Sequence, residues 1–244
     1  MIDHVTIRVE DLANSSRFYR RALELLQFEG DIYESSEFLE WNDFSIAQAT
    51  PERPATRKLH IGFRAHSRAQ VDHWWRAMTR DGYADDGPPG PRSQYAPPYY
   101  GAFLTDPNGN SVEAVHNPPA RNQDGVIDHL WLRVQDLAAS TRFYSRITPT
   151  LAHQTTRLPG RTMIHGKGAS FSLLEGNPSE NVHLAFSAAD QASVNAFHQT
   201  GIDAGYTTLG APGERPQYHP GYYAAYLADP DLHNIEAVFH NRTL

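Results

Sequence analysis

Residues 2–9 alternate apolar and polar positions in the period-two manner of a half-buried strand. At Asp11 the period changes. Phe18, Ala22, Leu25 and Leu26 recur at helical spacing, and Asp11 opens the stretch. Segments 31–34, 37–41 and 44–49 read as short strands, and 59–64 as another. Ser67 stands where an N-cap would open a second helix, whose inner face is Val71, Trp74 and Met78. Two strands follow, about 99–104 and 111–116, joined by the turn Asp106-Pro107-Asn108-Gly109. The order predicted is roughly βαβββ, twice over.

The whole pattern is then written again. Ile2-Asp3-His4 recurs as Ile127-Asp128-His129, and Arg17-Phe18-Tyr19 as Arg142-Phe143-Tyr144, an offset of 125. Further on the offset is 123: His60 falls on His183, Arg92 on Arg215, Gln94 on Gln217, Tyr99-Tyr100 on Tyr222-Tyr223, and Glu113 on Glu236. The fold class expected is α+β, with four βαβββ units in two tandem domains, 1–118 and 126–244. The Pro- and polar-rich stretch at 119–125 is the expected linker.

Composition narrows the field. The 244 residues include 21 Lys+Arg against 28 Asp+Glu, a net charge of -7, with no basic run for a phosphate backbone. There are no cysteines, which excludes disulfides, thiolate metal sites and a cysteine nucleophile. No apolar run is long enough to span a membrane, and no signal-peptide pattern opens the chain. A cytoplasmic protein acting on a small molecule is expected, as monomer or homodimer, without nucleic-acid or membrane partners.

Of the 13 His, two fall inside predicted strands of each half, with a Glu in the last strand. A buried Glu needs a partner, because an unpaired carboxylate in the interior costs several kcal/mol. Two imidazoles and one carboxylate facing one cavity would hold a divalent cation with coordination positions open. The spacing is too long for a local motif, so inheritance of the same residues by both halves without metal binding also fits.

The order of elements, with Asp3-His4-Val5, Leu59-His60-Ile61-Gly62-Phe63 and Asp106-Pro107…Val112-Glu113, and their copies Asp128-His129-Leu130, Val182-His183-Leu184 and Asp229-Pro230…Ile235-Glu236, resembles the vicinal oxygen chelate superfamily. That superfamily includes glyoxalases, bleomycin-binding proteins, fosfomycin-modifying enzymes and extradiol dioxygenases. The resemblance implies His4, His60 and Glu113, and His129, His183 and Glu236, as ligands of Fe2+ or Mn2+, with Zn2+ or Ni2+ as alternatives. Pairing within a half gives His4/His60/Glu113; exchange between halves gives mixed sites such as His4 with His183 and Glu236. The metal would accept two neighbouring substrate oxygens and stabilise developing negative charge.

Lactoylglutathione lyases of this superfamily carry a fourth ligand on the strand before the second His. Neither Phe44–Ala49 nor Ala169–Leu174 offers a matching inward carboxylate. His219, Tyr226, Asp229-Pro230 and Glu236 instead resemble the extradiol signature, in which a His and a Tyr precede the ligand Glu. Ala225 and Leu232 depart from it, and the first half has Ala96 and Phe103 in place of His219 and Tyr226. His219 and Tyr226 also fit ordinary hairpin and core positions.

The repeated Arg-x-Gln-Tyr-x-Pro-x-Tyr-Tyr stretch offers donors for a substrate carboxylate or carbonyl through Arg92, Gln94, Arg215 and Gln217. Tyr99 would contact substrate, and Tyr222 would act as an acid or stack on a ring. Trp74, Trp75 and Trp131 read as core or interface aromatics, and His233 and His240 as surface or turn residues. A ring-cleaving dioxygenase is the favoured subtype. The alternative is a metal-free small-molecule or antibiotic-binding protein.

Overall fold

The computed structural model describes residues 2–118, 125–166 and 169–241. Four βαβββ units follow one another. The first comprises β1 (Ile2–Val9), α1 (Leu12–Leu25), β2 (Ile32–Glu34), β3 (Phe38–Trp41) and β4 (Phe44–Gln48). The second comprises β5 (His60–Arg64), α2 (Arg68–Arg80), β6 (Ala84–Pro91), β7 (Tyr100–Thr105) and β8 (Ser111–His116). The third comprises β9 (Ile127–Val134), α3 (Leu137–Ile147), β10 (Gln154–Leu158), β11 (Arg161–His165) and β12 (Ser170–Glu175). The fourth comprises β13 (His183–Ser187), α4 (Gln191–Asp203), β14 (Thr208–Glu214), β15 (Tyr222–Ala228) and β16 (Asn234–His240). Each helix starts where a short polar side chain caps it. Asp11, Ser67, Asp136 and Asp190 each accept a hydrogen bond from the backbone N–H three residues on.

The strands form two eight-stranded sheets, ordered β14-β15-β16-β13-β1-β4-β3-β2 and β10-β11-β12-β9-β5-β8-β7-β6. The first sheet joins units one and four; the second joins units two and three. The exchange between halves is therefore the arrangement adopted. The break between the repeats separates two sequence copies but not two sheets. Of the expected linker, residues 119–124 lie outside the described residues.

The buried apolar residues of both repeats form one continuous core, within which aromatic contacts join units of the same repeat. Phe44 of unit one packs edge-on against Phe63 of unit two, 5.0 Å between ring centroids, and Phe171 of unit three meets Phe186 of unit four at 6.3 Å. Tyr19 donates from its buried hydroxyl to Asp106 at 2.7 Å, and Tyr144 does the same to Asp229 at 2.9 Å. Helices thus pack within a repeat while strands pair across repeats. Val5, Ile7 and Val9 of β1 point into this core, which leaves His4 and Thr6 on the opposite face.

One strand in each half departs from the sequence pattern. β6 reads Ala-Asp-Asp-Gly-Pro-Pro-Gly-Pro, and its pairing with β7 is interrupted by register shifts at Asp85/Gly87 and Gly87/Gly90. It is an edge strand, the one place in a sheet where missing N–H donors are tolerated. β14 is its counterpart at the edge of the other sheet. Among the described residues no helix is long and apolar enough to cross a membrane.

Candidate metal centres

Each centre is built on three neighbouring strands in the middle of a sheet. In the second sheet, Gly62 of β5 lies between His129 of the antiparallel β9 and Glu113 of the parallel β8. His60 is two residues before Gly62, so its side chain leaves by the same face. In the first sheet, Ala185 of β13 lies between His4 of β1 and Glu236 of β16, and His183 is two residues before it. The ligands expected by resemblance therefore group as His4–His183–Glu236 and His60–Glu113–His129.

The ligand atoms converge tightly. In the first centre His4 Nε2 is 3.3 Å from His183 Nε2 and 3.6 Å from Glu236 Oε2, which is 3.1 Å from His183 Nε2. In the second centre the corresponding separations are 3.1 Å between His60 and His129, and 3.2 Å from each to Glu113 Oε2. Atoms bound about 2.1 Å from one ion at octahedral or tetrahedral angles stand roughly 3.0–3.4 Å apart, so both sets fit a divalent cation. Two imidazoles and one carboxylate are also the donor chemistry such ions take with positions left open.

The surroundings aim these atoms. Asp3 Oδ1 receives His4 Nδ1–H at 3.0 Å, and Asp128 Oδ1 receives His129 Nδ1–H at 2.9 Å, which leaves both Nε2 lone pairs turned to the cluster. His60 Nδ1 lies 3.2 Å from Ser111 Oγ, which in turn donates to Asp86 at 2.9 Å. Tyr99 donates to both oxygens of Glu113 at 2.9 Å, and Tyr222 donates to Glu236 Oε1 at 2.7 Å. In the second centre glycine provides the room. A Cβ at Gly62 would stand 2.3 Å from His129 Cε1, and one at Gly101 would stand 2.1 Å from Glu113 Oε1.

Burial is the largest influence on the protonation of His4, His60, Glu113, His129 and Glu236, and it disfavours charge. Hydrogen bonds from His129 and His60 overcome it at Glu113 and hold its pKa down to about 2. Asp128 and Glu113 likewise overcome burial at His129 and hold its pKa up at about 9. His60 follows burial and is lowered. In the first centre, His4 is raised against burial by Asp3 and Glu236, and Glu236 is lowered against burial by His183 and His4. In the second centre a protonated His129 thus balances the buried Glu113, and a divalent cation would displace that proton.

The two centres open differently. The first faces a cleft of about 1910 Å³ lined by Thr6, Arg215, Gln217, His219, Tyr222 and Tyr226 among others. The second faces a cavity of about 450 Å³ lined by Trp131, Phe103, Tyr95, Lys58 and Arg133 among others. Trp131 is a cavity wall, its ring 5.4 Å from His60 and 5.0 Å from Tyr95, rather than a core or interface aromatic.

The remaining expected site residues divide. Arg215, Gln217, His219, Tyr222 and Tyr226 line the first cleft. Arg215 is held by Ala211 O and Glu214 O and sits 5.5 Å over the Tyr226 ring. Among the described residues lining the second cavity are neither Arg92 nor Gln94. The Arg92 guanidinium donates to Pro88 O and Pro91 O and lies over Phe103 at 5.2 Å, so it braces the β6 edge. Tyr99 is spent on Glu113.

Two histidines read as surface or turn residues prove otherwise. His233 is completely buried. His240 joins a chain: His219 Nε2 is 2.9 Å from His240 Nδ1, whose Nε2 is 3.0 Å from Asp3 Oδ1. The first half has Ala96 and Asn117 at the matching positions. The signal was in the sequence as an unmatched His pair within an otherwise faithful repeat.

The family model described as Glyoxalase/Bleomycin resistance protein/Dioxygenase superfamily matches residues 1–114. The first repeat belongs to that superfamily, and the second repeat carries the same fold and the same three residue types. Solved structures agree on the fold. Glyoxalase I from Zea mays matches with TM-score 0.67 and 17% identity over 98% of this chain and 92% of that one. Its V278E variant matches with TM-score 0.70 and 19% identity over the same shares. A "putative dioxygenase" from Bacillus subtilis matches with TM-score 0.68 and 11% identity over 98% of this chain and 85% of that one. A comparison with curated proteins finds no match.

Proposed function

We propose that this protein is a divalent-metal-dependent enzyme acting on a small molecule with two neighbouring oxygens, and that its working centre for ring-cleaving dioxygenase chemistry is His4–His183–Glu236. The observation that carries this reading is the convergence of two imidazole nitrogens and one carboxylate oxygen within 3.1–3.6 Å on the wall of an open cleft. His4, His183 and Glu236 would hold Fe2+ or Mn2+, which supplies Lewis acidity toward the bound oxygens and, for iron, a route to dioxygen.

The chain's own groups supply orientation and proton handling. Tyr226 stands beside Glu236 across β15 and β16. Burial and the Glu236 carboxylate push its hydroxyl pKa well up, so it stays protonated as a donor toward a substrate oxygen. His219 stands on the same cleft wall, its Nε2 paired with His240 Nδ1 and through it with Asp3, and it would act as a base by exchanging that partner for a substrate hydroxyl. Tyr222 fixes the Glu236 carboxylate through Oε1. Among the described residues no fourth carboxylate joins either cluster, which favours dioxygenase-type over lactoylglutathione lyase-type chemistry.

A second reading, binding of a small aromatic molecule without turnover, is favoured at the other centre by the Trp131, Phe103 and Tyr95 walls of its cavity. Metal content by plasma mass spectrometry on protein purified anaerobically without chelator, followed by a catechol panel, tests the proposal. Stoichiometric iron or manganese, half of it lost in Glu236→Ala, and catechol cleavage lost in the same variant support it. No metal uptake on titration overturns it.

A further inference from the structure

The two centres have the same ligands but opposite surroundings, and the repeat allows a position-by-position comparison. Beside the second His, the first centre has Thr6 where the other has Trp131. Beside the Glu, it has Tyr226 where the other has Phe103. In the turn before the last strand, it has Leu232 where the other has Gly109.

The last difference is unusual. Both turns need a left-handed backbone, φ +84° at Gly109 and +67° at Leu232. Glycine takes that conformation freely, whereas a leucine is strained by its Cβ. Leu232 also recovers nothing by burial, since it is 79% exposed and lines the first cleft. A strained, exposed leucine at the wall of a ligand-bearing cleft points to a contact made only with a ligand. Its neighbours on the wall agree. Of the seven exposed large apolar side chains among the described residues, four (Tyr33, Leu209, Tyr218 and Leu232) line this one cleft.

We infer that the substrate of the first centre carries an apolar arm, a ring or alkyl chain beyond its two metal-facing oxygens, which lies against Leu232 and Tyr218. The inference rests on the metal-dependent reading above for the anchoring end; the apolar arm has its own readout. The second centre faces the smaller cavity, about 450 Å³, with Trp131 on its wall.

The test uses acetohydroxamate and octanohydroxamate, which share a vicinal-oxygen head and differ in chain length. Binding to manganese-loaded protein is measured by calorimetry in a Glu113→Ala background, which silences the second centre. The longer probe should bind about tenfold or more tightly, since burying even part of its additional methylenes removes apolar surface from water. Leu232→Gly, which relieves backbone strain and keeps the fold, should lose most of that increment while acetohydroxamate affinity and manganese content stay unchanged. Tyr218→Ser should lose part of it. Equal affinities for the two probes with manganese bound would overturn the inference, as would an increment that survives both substitutions. If no manganese is taken up, the metal reading fails, and the two probes on metal-free protein decide the arm alone. A chain-length increment sensitive to Leu232→Gly upholds it there, and its absence sinks it.

Discussion

His4 Nε2 lies 3.3 Å from His183 Nε2, across two strands that belong to different repeats. The partners of each ligand in the first centre are therefore set by pairing between the first and last units, and those in the second centre by pairing between the second and third. The consequence is a specific stoichiometry in double variants. His4→Ala with His183→Ala removes two ligands from one centre and should leave one metal equivalent per chain. His4→Ala with His60→Ala strikes both centres and should leave none. Metal content after anaerobic loading separates these results, and equal content in the two double variants would contradict the exchanged pairing.

Gly62 is the floor on which the His129 ring rests. Gly62→Ala would place a methyl 2.3 Å from His129 Cε1, so the ring must swing away from Glu113. Affinity at the second centre should fall about 10–100-fold, the usual effect of disturbing the support of a ligand. The first centre has Ala185 at this position and should be untouched. A chelator competition titration on the Glu236→Ala background, where only the second centre is left, reads this directly.

Asp3 accepts from His4, from His240 and from Ser187 Oγ at 3.0 Å. Asp3→Asn keeps the shape but removes the charge and offers one face as donor. Metal affinity at the first centre should drop about 10–100-fold. Activity should also fall at saturating metal, because His240 no longer steadies His219. Full recovery of turnover by added metal would show that the chain through His240 has no role in proton handling.

His233 supplies a pH dependence with a definite sign. Its ring is fully buried, accepts a 3.4 Å hydrogen bond from Val182 N, and has its pKa lowered by burial from 6.5 to about 4. The unfolded chain takes up a proton near 6.5 and the folded chain does not. Stability is therefore lost as pH falls from about 6.5 toward 4, by about 3 kcal/mol at the lower end. The first repeat has Asn110 in this place. His233→Asn should flatten the stability profile over that window relative to the parent, as read by urea midpoints at pH 7, 5.5 and 4.5. Parallel profiles in the two proteins would refute the assignment.

The six ligand residues were legible because the repeat preserved their types while its surroundings drifted. Their grouping was not. Alternation along β1 shows that His4 leaves by the face opposite Val5, but it carries no information on which strand lies beside it. That neighbour is β13, far along the chain, and only the sheet order reveals it. β6 was illegible for a different reason: a strand of three prolines and two glycines carries no hydrophobic alternation, and it exists because β7 offers a ladder to an edge. His233 and His240 were misread because an isolated His gives no periodic signal. Trp131 was misread because a cavity wall and a core position share the same apolar character.

The nested strand pairing also sets an order of assembly. The second sheet is made of consecutive units, and its centre has every ligand once residue 129 has been synthesised. The first sheet encloses it in sequence, and Glu236 sits in the final strand. Closing the shorter chain loop costs less entropy, so the inner sheet forms first during biosynthesis while β1 waits for β13 and β16. Until then β1 exposes an unpaired edge beside His4, and the protein is open to mispairing with a second nascent copy at that strand.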